Sequence, residues 1–222
     1  MFEKKEYSRR VRMEDNIQPI YILEDRILQE LQKFGFKKKR KGYFIRKVQN
    51  CTQSVTVLDT KIRNKQEIHV TIGIGFTYEK VNKMVFYLKN KKYDSGWGTG
   101  TDNLGTLIGD KKPYGFYINN NTDIENIVDN ILFNVKKYAF AFWEECDTLD
   151  KFKRKLEEKN NIVHFSTYSL FRPEWNLLAL EVLLKGYRFD EIINEYHDFF
   201  NEEGYTKQQL LDRIREYYQE EQ

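Results

Sequence analysis

The apolar positions of this chain change period as it proceeds. Ile20, Leu23, Ile27, Leu28, Leu31 and Phe34 recur at helical spacing, with Glu24, Asp25, Glu30 and Lys33 on the wet side. Pro19 suits the first turn of that helix, and Gly35 suits the position just past its end, where φ > 0 is wanted. The period then falls to two. Residues 66–76 place Ile68, Val70, Ile72, Ile74 and Phe76 on one side and His69, Thr71, Gly73 and Gly75 on the other. Further strands are predicted at Tyr43–Val48, Thr52–Asp59, Met84–Leu88 and Tyr114–Ile118. Connections as short as Ile62–Lys65 suit hairpins, so the sheet should be antiparallel with one buried face. Gly73 and Gly75 leave the other face bare, for a bulge, another segment or a ligand.

Helical spacing then returns. Thr122 with Glu125 reads as a capping box, and Ile124, Ile127, Val128, Ile131, Leu132, Val135 and Tyr138 form a stripe wide enough to cover a sheet. Ala139–Trp143 continues it as an apolar anchor, and a shorter helix with Leu149, Phe152 and Leu156 runs to about Asn160. Beyond Asn161 three helices are predicted: one from Pro173 to Gly186, one carrying Phe189 to Phe200 and ending at Gly204, and one capped by Thr206 with Gln209. The class is therefore α+β: an antiparallel sheet of four or five strands covered by helices, with a C-terminal helical extension. Residues 1–160 form the α+β domain and 161–222 the extension, packed on the first or separate from it across the Asn160–Tyr168 link. Residues 1–15 are charged and aperiodic, and read as frayed or loosely packed. Asn90–Lys112 is the longest irregular stretch, with Trp97 set among Gly96, Gly98, Gly100, Gly105 and Gly109. No Gly-Lys-Ser/Thr follows, which argues against a phosphate loop.

Composition narrows the setting. A chain of 222 residues with 15% aromatics can bury a substantial core. No run reaches the length of a membrane span, and Met1–Asp15 lacks the apolar centre of a signal peptide. Cys51 and Cys146 have no metal-site spacing, and a reduced, cytoplasmic protein is the simplest reading. The net charge of +3 conceals an asymmetry: residues 1–50 carry fourteen Lys/Arg against seven Asp/Glu, and residues 162–222 carry six against twelve. Such a dipole either steers a charged partner or solvates the two ends. Lys37, Lys38, Lys39, Arg40 and Lys41 are consecutive and cannot enter a core. They form a turn or a strand edge, serving either an anionic partner or protection against aggregation.

No catalytic constellation emerges. His69, His164 and His197 have no ligand spacing, and only His69, beside the two glycines, is placed for a role. Cys51 lacks a neighbouring base. Glu144 and Glu145 point about 100° apart on a helix and cannot face one another as an acid/base pair. Glu191, Glu195 and Asp198, around His197, sit on the wet face of a helix. No catalytic, metal or cofactor residue is assigned, and the expectation is a protein without a cofactor and without turnover.

A helix ending in Gly35-Phe36-Lys37-Lys38, then Tyr43-Phe44-Ile45-Arg46, Gln53-Ser54 and a strand ending Ile72-Gly73-Ile74, resembles the bacterial domain of unknown function 4304 family. Leu107-Ile108-Gly109 and Tyr138-Ala139-Phe140-Ala141-Phe142-Trp143 are similar to its later landmarks. The resemblance covers residues 18–157 or so and departs at Thr71, where Asn is expected, and at Ala141, where Pro is expected. It implies a bacterial origin and no established activity. The function expected is a protein-interaction module with an unknown protein partner, one version being an immunity protein that neutralises a co-encoded toxin. The alternative is RNA or single-stranded nucleic-acid binding through the basic turn and adjacent aromatics. Under either reading the partner-binding residues are Lys37, Lys38, Lys39, Arg40, Lys41, Tyr43, Arg46, His69 and Trp97.

Overall fold

The computed structural model describes residues 19–61, 67–96, 98–109, 114–158 and 172–221. The first fifteen residues, the Ile62–Lys65 connection, Trp97, the Asn160–Tyr168 link and His164 lie outside them. The α+β class holds. Among the described residues the antiparallel sheet has six strands where four or five are expected, because Lys37–Arg40 and the short Gly100–Asn103 add to it. Helix α1 (Pro19–Gln32) begins at its proline and is followed by Gly35 at φ 83°. Strands β1 (Lys37–Arg40), β2 (Tyr43–Val48), β3 (Cys51–Lys61) and β4 (Ile68–Tyr78) then lie side by side in chain order. The outer edge of β4 is shared. Its Gly73–Phe76 half pairs with β5 (Gly100–Asn103), and its Ile68–Thr71 half pairs with β6 (Gly115–Ile118).

Between β4 and β5 the chain forms α2 (Glu79–Leu88), where the sequence pattern reads Met84–Leu88 as a strand. The correction has a simple cause. Val81, Met84, Val85 and Leu88 fall at i, i+3, i+4 and i+7, and all are buried. The unbroken Met-Val-Phe-Tyr-Leu run hides that period, because a short apolar run fits either a buried strand or a helix. The long irregular stretch also gains structure. Asn103 closes β5 and caps α3 (Leu104–Ile108), its Oδ1 accepting from the backbone N–H of Gly105 at 2.8 Å and of Tyr114 at 2.6 Å.

Helix α4 (Ile124–Asn134) is capped by Asp123 rather than Thr122. Asp123 Oδ1 accepts from the Asn126 N–H at 3.2 Å, while Thr122 Oγ1 is engaged by the preceding turn at Asn119. A π-helical turn, Val135–Ala139, leads into α5 (Phe140–Glu145), and α6 (Leu149–Glu157) follows with Thr148 as its cap. After α7 (Pro173–Leu183) the predicted second helix is broken at Tyr196 into α8 (Phe189–Glu195) and α9 (His197–Glu202). Helix α10 (Lys207–Glu220) carries the full Thr206/Gln209 capping box.

One sheet face is buried beneath the helices beginning at Pro19 and Ile124. Val70, Ile72, Ile74 and Phe76 are buried as the alternation predicts, and Ile68 packs half-buried at the margin. Phe36, Phe44, Phe76, Trp143 and Phe152 fill the space between, and Trp143 Nε1–H donates to the Gly75 carbonyl at 3.0 Å. The C-terminal helices dock on α2 and on the segment leading into β5. Asn176 Nδ2 donates to the Thr99 carbonyl, Thr99 Oγ1 donates to Asn82 Oδ1 and accepts from the Tyr78 N–H, and all three side chains are buried. Lys89, buried under the Trp175 ring, pairs with Glu203 at 3.0 Å.

Candidate interaction surface

Residues paired directly across an antiparallel ladder point to the same face. The register therefore lays out the side of the sheet away from the core as rows. These are Lys47–Thr52–Thr77, Ile45–Ser54–Gly75–Thr101, Tyr43–Thr56–Gly73–Asn103, Leu58–Thr71–Gly115 and Thr60–His69–Tyr117. The first row borders α2, whose Lys80 and Lys83 line the same groove as Thr52 and Thr77, and Ser54 in the second row is buried. Leu58 is 54% exposed and Tyr117 62% exposed. The sheet thus has one buried face and one more open face, with lysine and threonine at the Lys47 end and Leu58, His69 and Tyr117 at the other.

The two glycines of β4 are explained by neighbouring strands. A Cβ on Gly75 would lie 2.8 Å from Ser54 Oγ and 3.0 Å from Thr101 Cγ2, so β3 and β5 close over it. Gly73 has only ordinary contact, with Thr56 Cβ at 3.5 Å. His69 stands on the open face, its ring 4.7 Å from that of Tyr117. A Cβ on Gly115 would meet His69 Nε2 at 2.9 Å, so the missing side chain lets the imidazole settle on the sheet.

The basic run is a strand edge, and the alternation of that strand divides it. Lys37 shares the open face with Ile45, and Arg40 lies over the Tyr43 ring at 5.1 Å. A register shift between Lys38 and Arg40 bulges Lys39 toward the same side. Lys38 and Lys41 turn the other way. Lys38 Nζ lies 3.6 Å from the buried Glu24 carboxylate, and Lys41 Nζ lies 3.3 Å from Asp59. Arg46 is on the core side of β2. Its guanidinium sits 4.5–5.4 Å from the ring centres of Phe36, Phe140 and Trp143, and donates to Gln53 Oε1 at 2.6 Å. Burial draws its pKa down, opposed by the charge of Glu144. Of the nine residues singled out in the sequence, Lys37, Lys39, Arg40, Tyr43 and His69 thus share the open face. Lys38, Lys41 and Arg46 serve the packing of β1 and β2, and Trp97 lies outside the described residues.

At one end the open face deepens into a groove of ≈ 730 Å³ that continues around the β2–β3 turn. Its walls include Lys39 and Lys47 from the first two strands, Lys80 and Lys83 from α2, and Tyr93. The sequence pattern missed the last three because it read their stretch as strand and loop. The signal was present in the spacing of Val81, Met84, Val85 and Leu88, which fixes Lys80 and Lys83 on the outer side of a helix.

Cys51 and Cys146 lie buried beside this groove, next to Tyr78, whose hydroxyl donates to the Cys146 carbonyl at 2.5 Å. Burial pushes the Cys51 thiol up to about 11 and the Cys146 thiol up to about 12. Thiolate is the reacting form, so neither should react with an aromatic disulfide reagent in the native state at pH 8, and both should react on unfolding. Rapid native labelling of Cys51 would show that its strand opens locally. Among the described residues no group of three or more His, Cys, Asp or Glu side chains is placed to hold a metal ion, and no helix is long and apolar enough to cross a membrane. No family model, curated protein or solved structure matches the chain.

Proposed function

We propose that this protein is a non-catalytic interaction module that presents the open face of its sheet to a protein partner. The observation that carries this reading is the exposed end of that face, with Leu58 and Tyr117 more than half exposed on strands whose other side contributes Val55, Val57 and Ile118 to the core. Apolar and aromatic groups within a polar surround are the composition of a recognition patch. Threonine hydroxyls between them give a partner hydrogen bonds at little desolvation cost. The resemblance to the domain of unknown function 4304 family is compatible with this reading and supplies no activity that competes with it.

The test uses the double variant Leu58→Asp/Tyr117→Asp, whose two sites are exposed and so leave the core untouched. Wild type and variant, matched for circular dichroism and melting, are used to capture partners from the source cell, and the captured protein is then purified and titrated. Hot-spot residues cost about 2 kcal/mol or more each, so affinity for that protein should fall at least ~100-fold in the variant. Equal binding by both proteins would overturn the assignment of the face. Capture abolished by nuclease would replace a protein partner with a nucleic acid.

A further inference from the structure

The groove at the end of the open face carries a charge pattern that selects its occupant. Two carboxylates line it, and both are already matched. Glu79 pairs with Lys83 at 2.7 Å, and Asp147 Oδ1 has the Lys151 ammonium 2.8 Å away, at an ion-pair rather than a hydrogen-bond angle. With these set against each other, Lys39, Lys47 and Lys80 remain, Lys47 also feeling the charge of Glu79 at longer range. Among the described residues none of the three has a carboxylate within ion-pair distance. Lys37 and Arg40 stand beside them on β1, also without a carboxylate partner among the described residues. The ten-residue helix α2 begins at Glu79, so its exposed N–H groups add a positive end to the same wall.

The register gives the layout. Lys47, Thr52 and Thr77 are opposite one another across β2, β3 and β4, so the floor of the groove runs across the strands. Lys47 stands at the β2 end of that floor and Lys80, just past Thr77, at the other. Lys39 lies on β1 level with Tyr43 and Phe44, about four positions along the sheet from Lys47. Strands are spaced about 4.8 Å apart and residues about 3.3 Å along a strand. The floor from β2 to β4 is therefore roughly 10 Å across, and Lys39 lies roughly 13 Å from Lys47 along the sheet, a reach for an extended peptide of several residues. Cations spread this far apart, with hydroxyls between them, match several carboxylates of an extended chain better than one compact anion.

We infer that this groove binds an extended acidic segment of a protein partner, its carboxylates meeting Lys39, Lys47 and Lys80 over the Thr52–Thr77 floor. The inference rests on the reading of the sheet face as a protein-binding surface and names the partner's chemistry there. A nucleic acid would present phosphates to the same lysines, but it also needs free aromatic faces on which bases stack. Here Tyr43 lies under Arg40, Tyr93 has Phe86 at 5.6 Å and Lys83 over its ring, and Tyr117 stacks with His69 at the opposite end of the face. The cations and an open stacking surface are not in the same place.

The probes are fluorescein-labelled octaglutamate, octaglutamine and single-stranded octathymidylate, titrated by anisotropy at about 150 mM salt and again at lower salt. Octaglutamate should bind saturably and at least ~10-fold more tightly than octaglutamine. Lys39→Glu/Lys47→Glu/Lys80→Glu should abolish the difference, whereas Lys136→Glu/Lys137→Glu, on the helical side of the molecule, should leave it unchanged. Octaglutamate binding that is non-saturable, or equally weakened by both variants, would overturn the inference. So would octathymidylate binding more tightly at the same lysines, which would make the groove a nucleic-acid site. The captured partner separates this inference from the broader reading. If its binding is lost with Leu58→Asp/Tyr117→Asp but not with the lysine variant, the interaction module stands and the acidic occupant falls. If neither set of changes affects it, both fall.

Discussion

Gly42→Ala is expected to lower the melting temperature by about 5–15 °C. Gly42 closes the β1–β2 turn at φ 61°, a conformation that costs a residue with a side chain about 1–3 kcal/mol. Space is the second constraint. A Cβ at this position would run into the Val57 carbonyl oxygen of β3, which belongs to backbone and cannot swing away. The approach is close because the turn is bonded on both sides: the Gly42 carbonyl accepts from the Val57 N–H at 2.7 Å, and its own N–H donates to Glu24 Oε2 at 3.1 Å. Glu24 is a buried carboxylate on α1, so the bond also holds the helix against the sheet edge. The two costs together are about 2–4 kcal/mol, and a chain of this size loses roughly 2–4 °C per kcal/mol. Gly204→Ala is the control. Gly204 has φ 87° with nothing within 4 Å of a Cβ, so it carries the conformational cost alone. Thermal melts showing Gly42→Ala no worse than Gly204→Ala would remove the close approach from the explanation.

The same turn shows what could be read from the sequence. Gly35 and Gly42 mark the ends of a helix and a hairpin by residue type, and the strict alternation of Ile68–Phe76 identifies the buried face of β4 without any knowledge of its neighbours. The open face was legible in the same alternation, since His69, Thr71, Gly73 and Gly75 had to point away from the core. What covers that face, or leaves it bare, depends on where distant helices pack, and local period carries no information on that point. The five-cation run illustrates the limit. Sequence placed it at a turn or edge, but only the strand pairing separates Lys37, Lys39 and Arg40 from Lys38 and Lys41. The sequence pattern puts Glu24 on the wet side of α1, because a carboxylate belongs there by default. It is buried because a turn eighteen residues later brings an N–H and an ammonium to it. Arg46 escapes the sequence pattern for the same reason: Phe36, just before β1, and Phe140 and Trp143 on α5 make a site for its guanidinium, and none is its sequence neighbour.

Lys153→Met is expected to destabilise the protein by about 3 kcal/mol at neutral pH, with a pH dependence that identifies the cause. Lys153 on α6 places its ammonium 2.5 Å from Glu181 Oε2 on α7, and Glu181 is only 1% exposed. The other oxygen accepts from the Arg188 N–H at 2.8 Å, and Gly186 lies so close that any Cβ there would collide with the carboxylate. Burial alone would raise the Glu181 pKa, but Lys153 and the Arg188 N–H outweigh it and hold the carboxyl below its ordinary value of 4.5. A folded pKa below the unfolded one means that the wild-type contribution is fully present above about pH 4.5 and is lost as pH falls through the folded value. Removing the lysine leaves a buried charge with one hydrogen bond, a change that costs about 3–5 kcal/mol in comparable pairs. Burial then dominates, the carboxyl pKa rises, and the variant is relieved by taking up a proton. The gap between wild type and Lys153→Met should therefore be widest near neutral pH and close toward about pH 4. Adding Glu181→Gln removes the charge while keeping an acceptor for the Arg188 N–H, and should restore most of the loss at pH 7. Urea unfolding of the three proteins at several pH values measures this directly. A gap that is constant with pH, or a double variant no better than Lys153→Met, would show that the lysine contributes by packing its stem between α6 and α7 rather than by its charge.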